Sequence, residues 1–178
     1  MAKATETFGK LNYIEKCKIT IGDYELKLKI LPEITDTKRA TYTDTTIIGR
    51  SFPIKTYSHS DNRVIGMRLH FLVVDPSAGD VEAIIEDLYA IESAVYPRDG
   101  SPYKPPPVCK IECGKILGTD PLCVILESYN ASFPTNVVWD EALMVPYYFT
   151  LDTTWHVVYA SDSEVGLPYQ EKILSDGN

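Results

Sequence analysis

Apolar and polar residues alternate with a period of two over several stretches of this chain, and fall at helical spacing over one. Cys17, Ile19 and Ile21 alternate with Lys16, Lys18 and Thr20. After Gly22-Asp23, Tyr24, Leu26, Leu28 and Ile30 alternate with Glu25, Lys27 and Lys29. This period marks half-buried strands, and a two-residue Gly-Asp link suits a tight hairpin turn. With Ile21 opposite Tyr24, both apolar faces fall on one side. The lysine-rich face is then solvated, or a ridge for an acidic neighbour, and exposed lysines guard an edge against unwanted pairing. Between Arg63 and Val74 another strand sets Ile65, Met67, Leu69, Phe71 and Val73 on one face and Arg68 and His70 on the other. Asp75-Pro76 stops it. Ser77 and Asp80 stand at capping-box spacing. Val81, Ile84, Ile85, Leu88, Ile91 and Val95 follow at helical spacing, with Glu82, Glu86, Asp87 and Glu92 elsewhere on the wheel, which predicts a helix over 80–95 ending near Tyr96-Pro97. Its apolar stripe suits burial against a sheet.

The prolines from Pro97 to Pro107 hold the next stretch extended, as a stiff crossover or as a ligand for a proline-binding domain. Strands are expected over 108–113, 122–130 and 147–159. In the last, Tyr147, Phe149, Leu151, Thr153, Trp155, Val157 and Tyr159 share one face; Tyr148, Thr150, Asp152, Thr154, His156 and Val158 share the other. A long strand with one apolar side belongs in an antiparallel sheet whose second face is solvated or covered by a partner. Tyr148 and Val158 on that second face hint at an interface.

From Pro32 to Asp61 the pattern dissolves into a Thr-, Asp- and Ser-rich stretch with Tyr42, Ile47 and Ile48 as isolated apolar points. About thirty residues is long for a connection in a compact domain, where most run to about six. It reads either as a meandering loop with a short strand near Thr45–Ile48 or as a segment that a partner orders. Residues 161–178 read as a polar C-terminal arm, either frayed or docked on a neighbour, following a β domain over 1–160.

With 178 residues the chain has room for one domain with a sizeable core. The net charge of −8 argues against a general nucleic-acid-binding surface. The start does not read as a secretory signal, and no stretch approaches the roughly 20 apolar residues that cross a bilayer. Cys17, Cys109, Cys113 and Cys123 contain no Cys-x-x-Cys pair, so buried reduced thiols are expected ahead of a zinc site. Cys109 and Cys113 would share a strand face.

Enzymatic constellations are sparse. His59 lies in Ser58-His59-Ser60-Asp61, but neighbours on an extended chain point in different directions, and no Gly-x-Ser-x-Gly turn is present. His70 and His156 read as surface or satisfied core histidines. Asp120, Glu127, Asp140 and Glu141 fall on separate elements, which leaves a glycosidase-type carboxylate pair as a weak reading. No metal-helix, phosphate-loop or dinucleotide motif occurs. Neither catalytic residues, nor a cofactor, nor a metal is expected.

The order of the features carries a resemblance. A hairpin is followed by Ile47-Ile48-Gly49-Arg50-Ser51-Phe52-Pro53, the strand at 64–74 and the helix at 80–95. Pro105-Pro106-Pro107-Val108 leads into Ile111-Glu112-Cys113-Gly114, then comes the strand at 123–129, and Met144-Val145-Pro146-Tyr147-Tyr148-Phe149 opens the last strand. Over roughly Lys16 to Tyr159 this resembles the tube-type proteins of contractile phage tails and related injection systems, especially the baseplate proteins that initiate the tail tube and the hub adaptors. The resemblance implies a mainly β, α+β fold: an antiparallel β-sandwich or half-open barrel with one flanking helix. It implies a virion protein assembled in the host cytoplasm, with copies of itself in a ring, six-fold by analogy, beside other tube, hub or wedge proteins. DNA would pass the channel without specific binding, and no membrane is involved. Lys38, Arg39, Tyr42 and Arg50 in the polar stretch, with Tyr96 and Tyr103 on the stiff loop, are the expected subunit contacts. A standalone carbohydrate-binding β-sandwich is the alternative; it would cluster exposed aromatics such as Tyr96, Tyr103 and Tyr148.

Overall fold

The computed structural model describes residues 14–75, 79–97, 103–118 and 120–158. The expected first hairpin is present: β1 (Cys17–Ile21) and β2 (Tyr24–Lys27) pair with Ile21 opposite Tyr24. Gly22 in their turn has φ 58°, a left-handed conformation that a hairpin link requires and glycine adopts without steric cost. The following elements are β3 (Glu33–Thr37), β4 (Ala40–Thr45), β5 (Ile54–Ser60), β6 (Val64–Leu72) and helix α1 (Asp80–Ser93). Then come β7 (Cys109–Cys113), β8 (Leu122–Ser132), β9 (Trp139–Asp140), β10 (Val145–Pro146) and β11 (Tyr148–Val157). Seven strands form one antiparallel sheet in the order β2-β1-β7-β8-β11-β6-β3; β4–β5 and β9–β10 are separate pairs. The mainly β architecture, with one helix among the described residues, agrees with the sequence reading.

The alternating residues converge on one face of the large sheet. Ile19, Leu26, Ile65, Leu69, Ile111, Val124, Leu151 and Trp155 are fully buried, and Val81, Ile84 and Ile91 of α1 pack into the same core. Phe71 and Phe149, directly opposed in the β6–β11 ladder, stack with centroids 4.9 Å apart. Among the described residues Thr153 is the one buried polar residue of this core, and its hydroxyl is used twice. It donates to the Met67 carbonyl at 2.9 Å and accepts from Trp155 Nε1 at 2.8 Å, so the indole N–H enters the interior already paired.

The sheet is strongly curled. Lys27 and the two residues after β2 border the same small cavity as His70, Phe71 and Leu72 of β6, with Asp80, Ala83, Ile84 and Asp87 of α1 completing it. In a flat sheet these two strands, with four between them, would stand roughly 24 Å apart. Curling brings both towards the helix, which gives a half-open barrel closed over by α1. Two contacts fix the helix there. Asp80 pairs with Lys29 at 2.7 Å and accepts the backbone N–H groups of Val74 and Asp75, each at 3.1 Å. The Lys29 ammonium beside Asp80 therefore holds its carboxyl below the usual range. One turn pair further on, the Tyr24 hydroxyl donates to Asp87 at 2.6 Å, yet burial dominates and pushes the Asp87 carboxyl up to about 6. The N-cap is Gly79, without a side-chain cap; the Ser77 half of the expected capping box lies outside the described residues.

The loop reading of 32–61 is corrected. Instead of a loop with one strand near Thr45–Ile48, the stretch forms β3, β4 and β5. The strands escape a periodicity reading because β5 is exposed at all seven positions and β4 at five of six, so no buried face imposes alternation. The thiol expectation is also corrected for two of the four cysteines. Cys17 and Cys113 are register partners across β1 and β7, with Cα atoms 4.1 Å apart, and are joined as a disulfide. Cys109 and Cys123 are buried free thiols, and burial pushes Cys109 up to about 12. The last strand ends at Val157, so Tyr159 and the 161–178 arm lie outside the described residues, as does 98–102 of the proline-rich crossover. No helix among the described residues is long and apolar enough to cross a membrane.

Candidate interaction surface

β3 and β6 form the margin of the large sheet, and the chain carries both beyond it: β3 runs on into β4, and β5 leads into β6. The result is a projecting two-stranded ribbon. At its base Arg63 clamps Asp36 through two hydrogen bonds of 2.8 and 2.6 Å and reaches the Leu117 carbonyl at 3.3 Å. The Arg63 guanidinium holds the Asp36 carboxyl below its ordinary range. Just beyond, the Asp61 N–H donates to the Arg39 carbonyl at 2.8 Å. Register then runs from Ala40↔Ser60 to Thr45↔Ile54, with an irregularity at Thr41/Tyr42. Tyr42 and Tyr57 meet edge to face at 5.8 Å, and Lys55 pairs with Asp44 at 2.8 Å.

At about 3.3 Å per residue, the six to seven residues of each ribbon strand extend it by roughly 20 Å. Among the described residues β4 and β5 pair only with each other. Its tip bears apolar side chains in water: Ile48 is 103% exposed and Phe52 82%, with Ile47 and Ile54 beside them. A lone two-stranded ribbon is at best marginally stable, and clustered exposed apolar groups mark contact surfaces.

A second apolar surface lies between α1 and the segment after β8. A groove of about 260 Å³ is lined by Ile85, Leu88 and Tyr89 on the helix and by Phe133, Leu143 and Met144 opposite. Asp140 shapes this wall by accepting the N–H groups of Ala142 and Leu143 at 3.0 and 2.8 Å. Met144 has φ 54°, a conformation β-carbon-bearing residues rarely take, and is 70% exposed.

The six residues expected to make subunit contacts separate into two places. Lys38 and Arg39 link β3 to β4, Tyr42 stands on β4, and Arg50 lies in the tip turn, where its N–H donates to the Ile47 carbonyl at 3.2 Å. Tyr96 is exposed just past α1 and borders an open cavity with Tyr89, Glu92 and Pro107; Tyr103 is exposed beyond it in the crossover. Sequence reasoning missed Ile54, Tyr57 and Phe52 on the ribbon and the whole Phe133–Met144 wall. Their only signal is apolar residues in stretches with no period. Tyr148, read as an interface hint, is engaged within the chain: its hydroxyl lies 2.9 Å from His70 Nδ1 and the rings stack.

The outer face of the sheet carries cross-strand ion pairs. Arg68 binds Asp152 at 2.7 and 3.3 Å and approaches Glu33 at 3.7 Å; His156 meets Glu127 at 2.7 Å. On the ribbon, Ser58 Oγ lies 3.1 Å from His59 Nδ1 and His59 Nε2 lies 3.3 Å from Asp61. Adjacent residues thus do meet here, contrary to the sequence expectation, since a side chain can lean along its strand. The connectivity is that of a hydroxyl, imidazole and carboxylate relay, but all three groups sit exposed on the ribbon rather than in a cleft. Of the scattered acids, Glu127 is taken by His156 and Asp140 by its own turn. Among the described residues no three His, Cys, Asp or Glu side chains are grouped to hold a metal ion. No protein-family model matches the chain, and no curated protein shows significant sequence similarity to it.

Proposed function

We propose that this chain is a structural subunit of a phage-type tail or baseplate, which assembles with copies of itself and with other tube, hub or wedge proteins into a ring around a channel. The observation that carries the reading is the projecting ribbon, whose strands and apolar tip are exposed beside a sheet margin, β3, that is itself exposed at four of five positions. Unpaired strand margins invite pairing with another chain, and natural proteins leave them open where assembly completes them. The net charge of −8 suits a channel wall that DNA passes without adhering. The resemblance in feature order to tail-tube proteins supplies the class of assembly. The test is negative-stain imaging and light scattering of the purified chain, alone and mixed with candidate tail proteins. Rings or partner-dependent particles are expected; a compact monomer indifferent to every tail protein overturns the reading.

A carbohydrate-binding module is the second reading, and the open cavity lined by Tyr89, Tyr96 and Glu92 favours it. It requires a thermal shift with oligosaccharides that a Tyr96→Ala variant abolishes.

A further inference from the structure

We infer that the tip of the ribbon docks into the apolar groove of a second copy of this chain, the groove between α1 and the Phe133–Met144 wall. The inference deepens the ring reading, on which it rests, by naming the two surfaces that meet. Three observations point to it. The tip exposes Ile47, Ile48 and Phe52, which a single chain leaves in water, while the groove of about 260 Å³ is an apolar recess with room for about nine waters. Release of that water and burial of the tip would remove both exposed patches in one contact.

Charge complements shape. Residues 38–61 carry four basic side chains, Lys38, Arg39, Arg50 and Lys55, against Asp44 and Asp61, a net +2 within a chain of −8. Helix α1 carries five acids and no base. Two of them, Glu82 and Glu86, are exposed and stand three residues before the groove residues Ile85 and Tyr89, hence beside them on the helix surface. Glu141 is exposed next to the opposite wall. A basic ribbon with an apolar tip therefore faces an acidic rim around an apolar recess. Such matching steers encounter and fixes orientation.

Because tip and groove are different patches of one chain, the contact is head to tail. Repeated from copy to copy it closes into a ring or runs on as a filament, according to the rotation between neighbours. The matching shape and charge of tip and groove commit the occupant to another copy of this chain.

The test mixes two full-length variants, each carrying one new cysteine. Ile48→Cys at the tip and Met144→Cys at the groove should cross-link under mild oxidation, whereas Ile48→Cys with Glu112→Cys, on the opposite face of the sheet, should not. The native Cys109 and Cys123 are buried and do not compete. In sedimentation experiments Arg50→Glu should weaken self-association at least tenfold, and Arg50→Glu/Glu141→Arg should regain most of it. Unchanged melting of the variants shows that their folds are intact. A wild-type chain that stays monomeric at every concentration, or cross-links formed equally at both groove and control positions, overturns the inference. Rings insensitive to Arg50→Glu would overturn this docking while leaving the ring reading standing. Failure to assemble with itself or with any tail protein would remove both.

Discussion

β5 and β6 are consecutive strands separated by three residues, and they obey opposite rules. β6 alternates between buried and partly or fully exposed positions along Val64–Leu72, pressed on its inner face by the core; β5 is exposed along all of Ile54–Ser60. Both are paired antiparallel, so backbone hydrogen bonding is common to them and burial is not. The comparison separates what makes a strand from what makes a strand stable. Cross-strand pairs such as Tyr42–Tyr57 and Lys55–Asp44 each contribute about 0.2–1 kcal/mol, whereas one fully buried large apolar side chain contributes about 1.5–3 kcal/mol. A body built from the second kind of contact is rigid. A ribbon built from the first is available for exchange with a partner.

The sharpest way to test this contrast is to remove the largest fully buried side chain of the core. Trp155→Ala should destabilise the chain by about 3–5 kcal/mol in chemical denaturation, because it leaves a large cavity beneath β11. A loss no greater than that of a ribbon substitution would break the distinction. Next comes Asp87, whose carboxyl is raised by burial to about 6. The folded chain holds this proton more tightly than the unfolded one does. Its contribution is therefore complete below the unfolded value of 3.8 and is lost as pH rises through about 6, a span of about 3 kcal/mol at most. Tyr24, Lys29 and Glu86 act on the group, and Lys27, His70 and Asp80 share its cavity. Asp87→Asn should gain stability relative to wild type between about pH 4 and pH 7; a difference that stays flat with pH would show that the carboxyl does not titrate there.

Smaller still is Thr153→Val. It strands the Trp155 N–H in the interior and should cost about 1–3 kcal/mol although the shape is nearly unchanged, as measured by the urea midpoint. At the bottom of the scale, Ile48→Ser at the tip should alter the stability of the isolated chain by no more than about 0.5 kcal/mol. Hydrogen exchange sharpens the same point without a mutation. Amides of β4 and β5 should exchange through local opening, well before those of β6 and β11. Equal protection in the isolated chain would mean that the ribbon is held by something other than its own pairing.

Legibility in the sequence followed burial. The Ile21–Tyr24 register, the inner face of β6 and the start of α1 at Asp80 could be read directly, because each is an alternation or a helical stripe imposed by one core. β4 and β5 could not, since with both faces in solvent every position tolerates polar residues. Four contact candidates, Lys38, Arg39, Tyr42 and Arg50, nonetheless fall on the ribbon, because an unusually long polar stretch with isolated apolar points was itself a signal. The groove wall was invisible: Phe133, Leu143 and Met144 become one surface only when Asp140 turns the chain and α1 lies opposite.

Local periodicity, then, determined the first hairpin, the inner strands, helix α1 and the mainly β class, because those patterns record which side of each element meets the interior. Only the tertiary structure decided that Cys17 stands across from Cys113, that the sheet curls until β2 and β6 reach the same helix, and that 40–60 projects as a ribbon. These depend on which strands lie side by side, and no single strand's pattern encodes its neighbours.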